Sequence, residues 1–181
     1  MNIDAFFKRI KFSITPVIIT MLVLPGCGKD NMVEYVNSEK GFSISFPKNW
    51  EKKEGFLGST VIALEPIDDS DGTFRSNVAV VAEPITPGMS DGDYYKLQFK
   101  SLSQLTGHIK NFKLHSNRYA NVGSEKAKQL VYSYNIGQLR VTVISRAVIR
   151  EKTGYIITGT SNNIVEFSNK YRKIAESFKF L

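Results

Sequence analysis

The sequence predicts an α+β domain in which helices flank an antiparallel sheet. Several segments alternate apolar and polar residues with the two-residue period of a strand, most clearly residues 42–46. Short turns such as residues 135–138 join the later strands, which favours antiparallel neighbours. Two longer segments, residues 91–105 and 164–178, repeat apolar residues at helical spacing. Together these patterns predict layers of sheet and helix around one core.

The first part of the domain is predicted to contain three strands. Residues 42–46 form the first, Pro47 ends it, and Trp50 is interpreted as a core residue at its end. The second strand covers residues 60–64. The third covers residues 77–83 and is apolar on both faces, which predicts a central position in the sheet.

Two helices and four further strands complete the predicted domain. Ser90 or Asp91 caps the first helix, whose aromatic stripe is interpreted as core packing and not as a cofactor box. The strands that follow are residues 112–120, 129–136, 139–149 and 155–160. The last helix has a continuous apolar stripe made of Ile164, Phe167, Tyr171, Ile174 and Phe178.

The segment before the domain has the organisation of a secretory signal. Its basic n-region consists of Lys8, Arg9 and Lys11. An apolar run over residues 12–24 follows, and Gly26 supplies a small residue at the cleavage site. As a helix this run would extend roughly 20 Å, at about 1.5 Å per residue, which is short for a bilayer core of about 30 Å. An uncleaved membrane anchor and ordinary secretion are the alternatives.

Leu24-Pro25-Gly26-Cys27 resembles the lipobox of bacterial lipoproteins. In those proteins the cysteine thiol takes a diacylglyceryl group and the chain is cut just before it. Cys27 is the one cysteine of the chain, so it has no intramolecular disulfide partner. We therefore predict cleavage between Gly26 and Cys27 and lipidation of Cys27. Two or more acyl chains, palmitate among them, would anchor the protein firmly. Gly28 favours the outer membrane over the inner one.

The sequence divides into three predicted parts: a lipoprotein signal peptide at 1–26, a lipidated tether at 27–40 and a folded domain at 41–181. The whole chain carries a formal charge of +7, and 42% of its residues are hydrophobic, which suffices for one packed domain. Because no nucleic-acid-binding motif accompanies the positive charge, we predict no nucleic-acid partner.

The order of the predicted elements resembles that of PsbP-like domains. Residues 41–50, Gly-Phe-Ser-Ile-Ser-Phe-Pro-Lys-Asn-Trp, resemble the opening of such domains. Residues 76–81 resemble their central strand, and residues 154–160 with the last helix resemble their closing pair. Lipoproteins of the DcrB type share this α/β/α sandwich. The resemblance implies a binding or assembly module of the cell envelope, without an assigned reaction.

The residues that would support metal or catalytic chemistry are few. Asp68 to Gly72 is interpreted as a polar turn, because a calcium-binding EF-hand loop would need a terminal glutamate and flanking helices. His108 and His115 are the two histidines, and a zinc site would require several carboxylates beside them. We find no serine-nucleophile, phosphate-loop or zinc-protease motif. The sequence therefore predicts no catalytic residues, no metal and no cofactor.

Three arginines of one predicted strand alternate on one face. Arg140, Arg146 and Arg150 lie opposite its apolar side, and Lys126 and Lys128 precede the neighbouring strand. These residues form a hypothetical patch for anionic lipid or an acidic partner. A solvated or salt-bridged face is the alternative.

The predicted function is that of a membrane-anchored, periplasm-facing envelope lipoprotein, not an enzyme, that binds an envelope protein. One alternative is a carrier of an apolar small molecule or lipid, held between the aromatic helix and the sheet. Another is a hydrolase whose triad is assembled only in three dimensions.

Overall fold

A computed structural model describes residues 31–67, 74–104 and 110–181, with the side chains of residues 101–104 left out. The predicted signal peptide, Cys27, the acidic turn at 68–72 and His108 lie outside the described residues. The described residues form ten strands, two α-helices and a short 3-10 turn at Phe56–Gly58. The strands are β1 (Met32–Asn37), β2 (Phe42–Pro47), β3 (Glu51–Glu54), β4 (Val61–Leu64), β5 (Asn77–Pro84), β6 (Lys110–Val122), β7 (Glu125–Ile136), β8 (Leu139–Arg150), β9 (Thr153–Ser161) and β10 (Lys179–Phe180). The helices are α1 (Asp91–Gln104) and α2 (Ile164–Glu176).

The strands form two antiparallel sheets. The larger sheet has the order β3-β4-β5-β9-β8-β7-β6, and the smaller has the order β1-β2-β10. Every pairing in both sheets is antiparallel. Strand β5 lies between β4 and β9, which confirms its predicted interior position. The α+β class predicted from the sequence is confirmed.

The large sheet carries a separate apolar layer on each face. On β9, Ile157 packs with α2 and the small sheet, whereas its neighbour Ile156 packs with α1 on the opposite face. This alternation follows from the two-residue period of the strand. The molecule is therefore a sandwich, with α1 on one side of the large sheet and α2 with the small sheet on the other.

Helix α2 forms as its apolar stripe predicts. Asn163 caps its start, because the Asn163 side chain accepts a hydrogen bond from the backbone N–H of Glu166. Phe167, Tyr171 and Ile174 are buried against the sheet. Trp50 is also buried, as predicted, and stacks on Phe167 with ring centroids 6.3 Å apart.

The folded domain includes part of the predicted tether. Residues 32–37 pair along the whole of β2, and the ring of Tyr35 packs against Phe42. The start predicted at Gly41 is therefore too late. β1 is an edge strand in which no residue is fully buried and the sequence is partly polar, so it lacks the buried alternation that identified β2.

Neither α-helix of the described residues has the length and apolarity that a membrane span requires.

Candidate functional site

An apolar groove lies between α1 and the outer strands of the large sheet. Its volume is about 320 Å³. We call it the α1 groove, and its lining consists of Tyr95, Lys96, Phe99, Lys100, Leu114, Asn117 and Leu130. Tyr95 and Phe99 are four residues apart, as are Lys96 and Lys100, so α1 presents an aromatic row beside a lysine row.

The start of α1 is fixed to the sheet. The hydroxyl of Ser90 accepts a hydrogen bond from the N–H of Asp93 at 3.1 Å, which caps the helix. The carboxylate of Asp91 accepts a hydrogen bond from the N–H of Ile149 on β8 at 3.0 Å. Tyr94 then donates its hydroxyl to Glu83 on β5 at 2.9 Å. These contacts hold the helix at one end and set the width of the groove beyond it.

Aromatic and aliphatic side chains give the groove its apolar character. Leu130 is buried at its floor. Phe99 meets Phe112 edge to face at 6.0 Å between ring centroids, and Phe112 lies 5.6 Å from Tyr132. Phe112 and Leu114 nevertheless remain exposed, although both are large apolar residues. This end of the sheet therefore offers apolar surface that the described chain does not cover.

Tyr95 is the unusual residue of the groove. Its side chain is 8% exposed, and its hydroxyl has no hydrogen-bond partner within the described part of the chain. Leaving a buried hydroxyl unpaired costs about 1–3 kcal/mol. Burial also raises the pKa of Tyr95 to about 12, so the group is a neutral donor at physiological pH.

Positive charge surrounds the groove. Lys96 lies on the lining, and its ammonium is 3.3 Å from the carboxylate of Asp93. The ammonium of Lys128 lies 5.9 Å from the ring centroid of Tyr95 and 4.2 Å from that of Tyr119. Among the described residues on the lining itself, two are lysines and none is acidic.

A second cavity, the α2 cleft, lies on the opposite face of the sheet. Its volume is about 460 Å³, and its walls include Met32, Trp50 and Ile174. Lys170 lies between two carboxylates there, 2.6 Å from Glu65 and 3.1 Å from Glu166. The hydrogen bond to Glu65 contributes most to a raised pKa of Lys170, so this cation is stabilised by its partners. The cleft thus contains charges of both signs that neutralise each other.

The predicted arginine patch is not a continuous exposed surface. Arg146 is 6% exposed, because α2 and the small sheet cover its face of β8. Its guanidinium donates to Gln129 at 2.9 Å and lies over the ring of Tyr171 at 5.2 Å. Arg140 and Arg150 remain at the margins of that face, and Arg150 forms an ion pair with Glu125 at 3.1 Å.

The lysines assigned to the same patch lie elsewhere. Lys126 and Lys128 contact Tyr119 on the α1 face of the sheet. Strand alternation explains this separation, because Ala127 and Gln129 take the positions of β7 that face α2. The lysines therefore add to the charge near the α1 groove and not to the arginines.

His115 has a serine within reach. Its Nε2 lies 2.7 Å from the hydroxyl of Ser133, which also accepts a hydrogen bond from Arg140 at 2.9 Å. Ser133 is 0% exposed, so a substrate has no access to its oxygen in this conformation. No group of three or more His, Cys, Asp or Glu side chains in the described ranges is arranged to hold a metal ion.

The sequence analysis considered an apolar ligand between the aromatic helix and the sheet, but it did not identify the residues of the α1 groove or the unpaired hydroxyl of Tyr95. The available signal was the pairing of Tyr95 and Phe99 with Lys96 and Lys100 at equal spacing. That pattern describes an amphipathic boundary on a helix but does not show that a buried hydroxyl lacks a partner.

Comparison with known proteins bears on the fold. No family model and no curated protein matches the sequence. The cyanobacterial PsbP protein CyanoP from Synechocystis sp. PCC 6803 superposes with a TM-score of 0.65 at 12% identity, covering 87% of this chain and 97% of CyanoP. LpqN, involved in cell envelope biogenesis of Mycobacterium tuberculosis, has a TM-score of 0.57 at 13% identity, covering 83% of this chain and 85% of LpqN. PA94 from Pseudomonas aeruginosa, a putative regulator, has a TM-score of 0.54 at 14% identity, covering 81% of this chain and 95% of PA94.

These likenesses are structural, because the identities are far too low to transfer a function. TM-scores of 0.54 to 0.65 over more than 80% of this chain show that the overall fold is shared. The chain has the PsbP-like fold.

Proposed function

We propose that this protein is a non-catalytic binding module of the bacterial cell envelope, attached to a membrane by lipid on Cys27 and engaged with an envelope protein. The observation that carries the proposal is the shared fold with LpqN, a protein involved in cell envelope biogenesis, in a chain whose residues 24–27 resemble a lipobox. The PsbP-like fold agrees with the resemblance on which the sequence analysis based an assembly role.

The geometry of Ser133 favours binding over hydrolysis. A catalytic serine must reach its substrate, whereas Ser133 is fully buried and its oxygen is engaged by Arg140 and His115. We expect the wild type to hydrolyse no short-chain nitrophenyl esters above the rate of the Ser133→Ala variant. Turnover that Ser133→Ala abolishes would instead establish the hydrolase alternative.

Lipid attachment is tested by intact mass and membrane fractionation of the protein from a bacterial envelope. We expect the mature wild type to begin at Cys27, to carry fatty acyl groups and to sediment with membranes. Cys27→Ala removes the acceptor thiol, so this variant should carry no acyl mass and should leave the membrane fraction. A wild-type mass with residues 1–26 attached, or without acyl groups, would contradict the proposed anchor.

Partner binding is tested by crosslinking in intact cells. We expect the wild type to yield one dominant crosslinked species that contains an envelope protein. Cys27→Ala is the matched control, because it retains the folded domain but not the membrane attachment, and it should lose most of that species. A wild type that remains a lone monomer in its native membrane would contradict the proposed assembly role.

A further inference from the structure

The α1 groove combines three features that a ligand could use. It exposes the large apolar side chain of Leu114 on its lining, and exposed Phe112 lies next to its lining residue Phe99. It contains the buried hydroxyl of Tyr95, which has no partner in the described residues. Its polar margin includes Lys96 and Lys100 but no described acidic residue of the lining. An occupant that satisfies all three needs an apolar body, a hydrogen-bond acceptor and negative charge.

We infer that the α1 groove binds a single unbranched acyl chain that ends in an anionic group. The chain lies over Phe99, Leu114 and Leu130, where it covers apolar surface now in contact with water. Because the hydroxyl of Tyr95 is buried, binding must displace the side chains that cover it. The hydroxyl then donates its unused hydrogen bond to an oxygen of the head group, and the lysines of the margin neutralise the charge.

The size of the groove agrees with this ligand class. Its volume of about 320 Å³ lies at the lower end of the roughly 300–1,000 Å³ of small-molecule pockets. Such a space suits one chain better than a two-chain lipid or a protein helix. The protonation state of Tyr95 also agrees, since burial raises its pKa to about 12 and keeps the proton available to an acceptor.

The α2 cleft is a less suitable site for the same ligand, although it is larger. Its lining includes the carboxylates of Glu65 and Glu166, which both contact Lys170, whereas the described lining of the α1 groove has no carboxylate. The two carboxylates would repel an anionic head group. The chemistry of the two cavities therefore assigns the anionic chain to the α1 side.

The inference concerns the ligand of the folded domain and is independent of lipid attachment and of the protein partner. It is tested on the whole mature chain, residues 27–181, carrying Cys27→Ala so that no acyl chain of its own competes. The probes are decanoate, dodecanoate, dodecyl phosphate and dodecanol, titrated by calorimetry below the concentrations at which they form micelles. Carboxylate and phosphate probes distinguish a free fatty acid from a phospholipid-type head group.

We expect dodecanoate or dodecyl phosphate to bind one to one, and the tighter of them identifies the head group. Each methylene that the groove buries should tighten binding about fourfold, so decanoate should bind more weakly than dodecanoate. Dodecanol should bind more weakly than the anionic probes, because it does not use the lysines. No binding by any anionic probe, or binding no tighter than that of dodecanol, would overturn the inference.

Tyr95→Phe separates ligand binding from folding. It removes only the unpaired hydroxyl, so its midpoint of urea unfolding should equal or exceed that of the parent chain. Its affinity for the bound anionic probe should fall by about 10- to 100-fold, since a hydrogen bond to a charged acceptor is lost. Tyr119→Phe is the matched control, because Tyr119 is 57% exposed and does not line the groove, and its affinity should not change.

The margin is tested with the double variant Lys96→Gln and Lys100→Gln. It should weaken binding of the anionic probe but leave dodecanol unaffected. An affinity that neither Tyr95→Phe nor the double lysine variant changes would place the chain elsewhere and overturn the assignment to the α1 groove. In that case the envelope anchor and the partner interaction would remain to be judged by their own experiments.

Discussion

The two faces of the large sheet differ in how fully their aromatic and polar groups are paired. On the α2 face, outside the α2 cleft, aromatic rings pack directly against one another: Phe42 stacks on Phe178 at 5.3 Å, and Tyr155 meets Phe178 edge to face at 5.6 Å. The hydroxyl of Tyr171 donates to the carbonyl of Ile157 at 2.8 Å, so the polar atom of that layer is paired. On the α1 face, the hydroxyl of Tyr95 is unpaired and Leu114 remains exposed.

This difference separates stability from binding. A closed, paired layer provides most of the packing energy that holds the fold together. A layer with unpaired polar atoms and uncovered apolar surface is less stable by itself but has interactions left for a ligand. The comparison implies that substitutions on the α2 face mainly change folding, and that substitutions near the α1 groove mainly change recognition.

The largest contrast should come from truncating one aromatic residue on each face. Phe178 is 1% exposed and contacts Phe42, Tyr155 and Phe180. Phe178→Ala should lower the free energy of unfolding by about 3–5 kcal/mol, the usual cost of removing a buried phenyl ring. Phe99→Ala on the α1 side should cost less than half of that, because Phe99 is only partly buried. Urea unfolding followed by tryptophan fluorescence measures both, and equal costs would contradict the contrast.

Arg146 provides the second test, because it places a charge inside the closed face. Arg146→Ala removes its hydrogen bonds to the side chain of Gln129 and the carbonyl of Asn121, and leaves the buried side chain of Gln129 without this donor. We expect a loss of about 2–3 kcal/mol in the free energy of unfolding. Arg150→Ala is the matched control at an exposed position of the same strand; its ion pair with Glu125 is solvent-exposed, so the variant should cost about 1 kcal/mol or less. A similar loss for both variants would show that Arg146 is not held as described.

Alanine substitutions at two glycines of β9 test how tightly the side chains of each helix pack against the sheet. A Cβ atom at Gly159 would lie 2.4 Å from the ring of Tyr171 and 2.8 Å from that of Phe167. Gly159→Ala should therefore destabilise the fold by about 1–3 kcal/mol, since two buried rings would have to move. A Cβ atom at Gly154 would instead meet the outer end of the Tyr94 ring. Gly154→Ala should cost less, because that end of the side chain can shift at the expense of its bond to Glu83. Thermal unfolding measures which variant is destabilised more. A larger loss for Gly154→Ala than for Gly159→Ala would show that the tighter packing lies on the α1 side.

Raising the pH probes the closed face through Tyr171. Burial raises the pKa of Tyr171 in the folded protein, although Arg146 opposes the shift. A tyrosine in the unfolded chain ionises near pH 10, so above that value unfolding releases a proton and stability falls as pH rises. Each such group contributes a slope of about 1.4 kcal/mol per pH unit.

Tyr171→Phe should remove about 1 kcal/mol of the stability loss between pH 10 and 11, because an unfolded tyrosine is only half ionised at pH 10 and the full slope is reached at higher pH. Tyr119→Phe is the control, because Tyr119 is exposed, and it should leave the pH dependence of stability unchanged. Urea unfolding at a series of pH values measures the slopes, and an equal change in both variants would contradict the burial argument.

The parts of the fold that the sequence predicted are those with a strong periodic pattern. The stripe of α2 and the alternation of β2 each determine an element and its buried face without knowledge of the partner. Strand β3 (Glu51–Glu54) was missed, because all of its residues are charged and exposed and only its pairing with β4 makes it a strand. Propensity and pattern contain no signal for such an edge strand.

The candidate site was less predictable than the fold for a related reason. Alternation on β8 correctly grouped Arg140, Arg146 and Arg150 on one face, but it does not reveal whether a helix covers that face. Helix α2 covers Arg146 and leaves the other two near the margin. Likewise, the unpaired state of the Tyr95 hydroxyl depends on every neighbour in space, which a linear pattern does not contain.

The smallest expected effect concerns the two remaining arginines. A double variant with Arg140→Gln and Arg150→Gln removes two charges from the margin of the α2 face, where Arg150 is already paired with Glu125. Exposed charges near an anionic surface are worth about 1 kcal/mol each. Binding of the mature Cys27→Ala chain to vesicles containing anionic lipid should therefore weaken by less than about 30-fold, with the loss concentrated at low salt.

A matched variant with Lys126→Gln and Lys128→Gln removes the same charge from the α1 face. If the arginines form a membrane-facing margin, the arginine variant should lose more vesicle binding than the lysine variant in a sedimentation assay. If the lysine variant loses more, the α1 face is the one turned towards the membrane, and the groove beside Tyr95 would then open onto the lipid surface from which an acyl chain could enter.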